Sequence, residues 1–84
     1  MQQELSLADL PKGKTGNVST INGGASFRLK LEGLGIRPGT KITKVSNLFT
    51  KGPVVLNTGG TEVAIGYKMA LKIMISIAPT EDMP

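Results

Sequence analysis

Leu71-Lys72-Ile73-Met74-Ile75-Ser76-Ile77 puts Leu71, Ile73, Ile75 and Ile77 on one face of an extended chain and Lys72, Met74 and Ser76 on the other. That period of two is the signature of a β-strand with one face in a core. Upstream, Thr61-Glu62-Val63-Ala64-Ile65 reads as another strand, entered from Pro53-Val54-Val55-Leu56-Asn57 through the hairpin turn Asn57-Thr58-Gly59-Gly60. Gly66-Tyr67-Lys68-Met69-Ala70 between them has the pattern of a single helical turn. A strand is expected over Thr40–Val45, with Ile42 and Val45 as its apolar members. Another is expected over Lys14–Asn22, where Val18 and Ile21 stand three apart and so require a bulge if both face inward. Leu48-Phe49-Thr50-Lys51-Gly52 reads as a turn-rich loop.

One segment has the other period. Phe27, Leu31 and Leu34 fall at i, i+4 and i+7, which predicts a helix over Ser26–Leu34 with these three residues against the core. Gly33 and Gly35 end it, and Pro38-Gly39 forbids continuation. Ser6-Leu7-Ala8-Asp9-Leu10 before Pro11 reads as a short helical turn capped by Ser6. Short strands at near-regular spacing and eleven glycines predict a mainly β fold: a small closed or nearly closed barrel carrying one α-helix and short helical turns. Closure removes edges that would otherwise pair with other chains. With 84 residues, one domain is expected over 1–84, its core at about 5–78 and a mobile polar tail at 79–84.

Composition removes whole classes of chemistry. There is no cysteine and no histidine, so thiolate and imidazole metal sites, serine and cysteine triads, and imidazole acid–base catalysis are all excluded. The six acids, Glu4, Asp9, Glu32, Glu62, Glu81 and Asp82, lack the clustered spacing of a hard-cation site. No cofactor, metal or catalytic residue is assigned, and any link to a metal must be indirect. Apolar runs fall short of a membrane span, and Met1-Gln2-Gln3-Glu4 lacks the features of a signal peptide, which predicts a cytoplasmic chain.

Two motifs mimic nucleotide sites. Ala8-x-x-x-x-Gly13-Lys14-Thr15 satisfies a permissive phosphate-loop pattern, but a phosphate loop joins a buried strand to a helix, and here a helical turn precedes and a strand follows. Gly33-x-Gly35-x-x-x-Gly39 is one residue too long for a dinucleotide fingerprint and follows a helix, so it reads as a helix stop.

All ten Lys and Arg lie between Leu10 and Ala78, accompanied there only by Glu32 and Glu62. This basic body favours an acidic partner surface or nucleic acid. Against nucleic acid stands the scarcity of stacking groups, since Phe27, Phe49 and Tyr67 occur singly. Leu29 falls about opposite the Phe27–Leu31–Leu34 face and is expected to point outward, flanked by Arg28 and Lys30. Together with Arg37 and the loop residues Leu48 and Phe49, these are the candidate partner-binding residues.

Several of these stretches carry a family likeness. Leu7-x-x-Leu10-Pro11-x-Gly13, Gly16-x-Val18-x-x-Ile21, Arg28-x-x-Leu31-x-x-Leu34-Gly35-Ile36-x-Pro38-Gly39, Gly52-Pro53-Val54 and Ala64-Ile65-Gly66-x-x-x-Ala70-x-x-Ile73 resemble the FeoA family in order and spacing. The resemblance implies an SH3-like barrel without enzymatic activity. It further implies a cytoplasmic accessory or regulatory role in ferrous iron uptake, through contact with the cytoplasmic part of FeoB, the GTPase-bearing membrane transporter. The same domain resembles the C-terminal module of iron-dependent repressors, which leaves an SH3-like regulatory or nucleic-acid-binding module as the alternative.

Overall fold

The computed structural model describes residues 3–47 and 51–77. Six strands and two helices follow one another as β1 (Gln3–Ser6), β2 (Thr15–Ile21), α1 (Ala25–Gly33), β3 (Lys41–Asn47), β4 (Val54–Thr58), β5 (Thr61–Ile65), α2 (Tyr67–Leu71) and β6 (Ile73–Ile77). The strands form one antiparallel sheet in the order β1-β6-β2-β3-β4-β5. The alternating run singled out above thus becomes β6, paired on both sides, with Ile73 and Ile75 fully buried.

A bulge lets residues of the wrong parity reach the core. In β2 the register against β6 shifts between Val18 and Thr20, so that Val18 and Ile21, three apart, are both buried. In β3 the register against β4 shifts between Lys44 and Ser46. Ahead of that shift the strand keeps its two-residue alternation, which corrects one expectation: the inward partner of Ile42 is Lys44, only 3% exposed, while Val45 is half-buried at the irregularity. Lys44 reaches inward because its Nζ donates to the Ala8 carbonyl at 2.8 Å, within the turn that follows β1.

Burial pushes the Lys44 ammonium pKa down from its ordinary value, and the Asp9 carboxylate partly offsets this. The unfolded chain therefore holds a proton that the native chain has released between the lowered value and about 10.4. Native stability gained from this group must rise with pH through that window. Lys44→Met should remove that rise, so urea midpoints of parent and variant, compared from pH 7 to pH 10, should shift in the parent's favour as pH increases. Parallel pH profiles would contradict the burial of this ammonium.

The turn at Ser6 forms as expected, with Asp9 N–H donating to Ser6 Oγ at 3.2 Å and Leu10 N–H to Ser6 O at 3.0 Å. Ser6 is also the last residue of β1, a strand that the sequence reading lacks. The Gly59-Gly60 connection, with φ of 59° and 85°, is the positive-φ pair that a two-residue β4–β5 hairpin demands.

At the other end of α1 the chain closes in a Schellman motif. Gly35, at φ 87°, donates to Glu32 O, and Ile36 N–H donates to Leu31 O, both at 2.9 Å. This corrects the assignment of Leu34 as a core anchor. Leu34 is the C-cap, 40% exposed, and the fully buried residue beside Leu31 is Ile36. A second correction concerns Leu71, which ends α2 and is 42% exposed, so the inward set of the last strand starts at Ile73. Leu7, Leu10, Leu31, Ile36, Ile42, Val54, Leu56, Ile73 and Ile75 make up most of an aliphatic core, with Phe27 and Met69 packed at its margin.

Candidate docking groove

The site grows out of the two connections that leave β2 and enter β3. Ile21 ends β2, and four residues later Ala25 opens α1. On α1 the residues Ala25, Arg28, Leu29 and Glu32 recur at i, i+3, i+4 and i+7, so they share one side of the helix, away from Leu31. After the Schellman turn, Arg37-Pro38-Gly39 is tied back onto β2, with Gly39 N–H donating to Val18 O and Val18 N–H to Thr40 O, each at 2.8 Å. These ties carry Arg37 and Pro38 across to face α1. The result is a groove of about 450 Å³ lined by Ile21, Ala25, Arg28, Leu29, Glu32, Arg37 and Pro38.

Leu29 is 66% exposed, the most open of the large apolar side chains among the described residues. Arg28 is held by a hydrogen bond from Nη1 to the Gly23 carbonyl at 2.9 Å, which fixes its guanidinium at the N-terminal end of the groove. Arg37 Nη1 lies 3.8 Å from Glu32 Oε2, both side chains well exposed. Such a solvated pair contributes little stability and leaves the guanidinium free to accept a stronger partner. Arg37 also borders a more polar depression lined by Thr40, Lys41, Thr43 and Asn57. An apolar lip between two arginines suits a surface that combines carboxylates with an apolar side chain.

Three of the candidate residues, Arg28, Leu29 and Arg37, are therefore brought together. Lys30 is exposed on α1 but does not line the groove. Leu48 and Phe49 lie outside the described residues. Sequence reasoning missed Ile21, Ala25, Glu32 and Pro38. The Ala25–Glu32 stripe was visible as helical spacing, whereas Ile21 and Pro38 join it only through the ties between β2 and the Arg37–Thr40 turn.

The phosphate-loop mimic is accounted for by main-chain bonding. Gly13 N–H donates to Lys44 O at 2.7 Å and Lys14 N–H to Pro11 O at 3.1 Å, and the chain then enters β2. These amides are committed to the fold and form no cradle. Among the described residues no three acids gather as a metal site, and no helix is long and apolar enough to cross a membrane.

Residues 5–77 match the FeoA domain family, which takes in every strand and both helices apart from the first residues of β1. The chain belongs to the FeoA family. Family membership makes it an accessory protein of ferrous iron transport, and its fold is SH3-like. Over 72 residues the chain is 35% identical to a protein of Methanocaldococcus jannaschii described as an Fe(2+) transport protein A, covering 86% of this chain and 85% of that one. Among solved structures, it is similar to an iron uptake regulatory protein, also a FeoA, with a TM-score of 0.80 and 30% identity over 89% of this chain and 99% of the other. It shares its fold with the FeoA of Stenotrophomonas maltophilia, described as a prokaryotic SH3 domain protein and solved with zinc, at a TM-score of 0.70 and 21% identity over 84% and 88% of the two chains. The expectation of a FeoA-type SH3-like fold is met by these likenesses.

Proposed function

We propose that this FeoA-family chain is a cytoplasmic regulator of ferrous iron uptake that docks on an acidic, partly apolar surface of the cytoplasmic part of the FeoB transporter. The observation that carries the proposal is the convergence of Arg28, Leu29 and Arg37 on one groove, built from a helix and the turn that follows it, folded back onto β2. Family membership supplies the transport system. The groove supplies the chemistry of the contact. Leucine in a shallow groove gains by desolvation, and the flanking guanidinium groups speed encounter with an acidic surface and fix its register.

The test is binding of the purified chain to the isolated cytoplasmic part of FeoB, with and without guanine nucleotide, by calorimetry. Leu29→Glu should weaken binding about tenfold or more, the loss typical of a central interface residue. Its exposure predicts an unchanged melting temperature. Equal affinity of parent, Leu29→Glu and Arg37→Glu would remove the groove from the contact.

A further inference from the structure

A second groove opens beside α2. It is lined by Lys51, Gly66, Tyr67, Lys68, Met69 and Leu71, with no carboxylate among them. Leu71 is one of only three large apolar side chains left open among the described residues, and Leu29 in the first groove is another. Each of these leucines thus sits in a groove that also carries two basic residues.

The last turn of α2, which carries Leu71, adjoins the start of α1. Ile21, the last residue of β2, pairs with Ile73, the first residue of β6, so the chain entering α1 and the chain leaving α2 are neighbours. Asn22 N–H donates to the Lys72 carbonyl at 2.8 Å. The Lys72 ammonium also stands 5.3 Å from the centre of the Phe27 ring, a cation–π contact that joins the end of α2 to α1.

We infer that the α1 and α2 grooves form one bipartite docking surface for a single partner carrying carboxylates and two apolar projections, one for Leu29 and one for Leu71. This rests on the reading that the chain docks on FeoB, and it specifies how. Arg28, Arg37, Lys51 and Lys68 line the two grooves against one carboxylate, Glu32, which is already beside Arg37. A partner matched to both grooves is therefore acidic. Each groove alone is shallow. Once one is occupied, the other meets its ligand at a high effective concentration, which converts two weak contacts into one firm attachment.

The experiment compares the parent, Leu29→Glu, Leu71→Glu and the double variant for binding to the cytoplasmic part of FeoB, with folding followed by circular dichroism. Lys68→Glu serves as a second α2 variant that leaves the apolar surface intact. Each single variant should weaken binding about tenfold, and the double variant should lose measurable binding. If Leu71→Glu and Lys68→Glu bind as the parent does while Leu29→Glu is weakened, the bipartite surface is overturned and the α1 groove stands alone. If the parent itself fails to bind, both the docking reading and this inference fall.

Discussion

Gly16→Val is expected to be among the most damaging single changes in this chain. Gly16 is buried in β2, opposite Ile42 on one side, and faces the side chains of Ile75 and Ile77 from β6. A Cβ at this position would collide with Ile75 Cγ2 and come within 3.0 Å of the Ser76 carbonyl oxygen. The first neighbour can rotate only into other core atoms, and the second is backbone in a paired strand. Overpacking of this kind costs about 3 kcal/mol, which in a domain of this size lowers Tm by roughly 15 °C. Thermal unfolding by circular dichroism checks it, and a variant that melts with the parent would mean that β2 and β6 stand further apart than described.

Ile36→Ala should have a comparable effect for a different reason. Ile36 is fully buried and occupies the position after the left-handed Gly35, where the Schellman motif brings it against Leu31. Truncating it leaves a cavity in an all-aliphatic core and costs about 3 kcal/mol. It also loosens the turn that carries Arg37 and Pro38 into the groove, so partner affinity should fall even below the melting range. Leu34→Ala is the control. With Leu34 40% exposed at the C-cap, its truncation should change stability by no more than about 0.5 kcal/mol. Denaturant titration of the two variants distinguishes them, and the reverse order of effects would mean that the core residue of this turn is Leu34.

That contrast shows what kind of information the sequence carried. Where one period ran uninterrupted, as in Ile73-Met74-Ile75, the pattern placed the strand and its inward face correctly. The helix was placed within a residue at each end, and the bulge in β2 followed from two apolar residues at an odd separation. Errors arose where an element changes type. Leu34 continues the helical stripe by spacing, but the backbone has already turned at Gly35, and Ile36 takes over the core position. Leu71 continues the two-residue alternation backward, although the chain there is still in α2. Lys44 faces inward against its polarity because the Ala8 carbonyl receives its ammonium, a contact across 36 residues that no local pattern encodes. β1 escaped notice because four residues with three polar members become a strand only by pairing with β6.

The candidate site was legible in the same uneven way. Helical geometry alone put Leu29 outward, and charge alone called for an acidic partner surface or nucleic acid. The groove needed the turn after α1 to fold back on β2, and that is a property of tertiary hydrogen bonds. Only then do Arg37 and Pro38 face Ala25 and Leu29. Lys30, next to Leu29 in sequence, is excluded by the same helical rotation that exposes Leu29.

The docking groove is tested most directly by following backbone amide resonances of the labelled chain as the cytoplasmic part of FeoB is added. Shifts or broadening should concentrate at Ile21, Ala25, Arg28, Leu29 and Arg37, and should weaken in Leu29→Glu. Perturbations confined to β4 and β5, at the far edge of the sheet, or no perturbation at all, would contradict the docking groove.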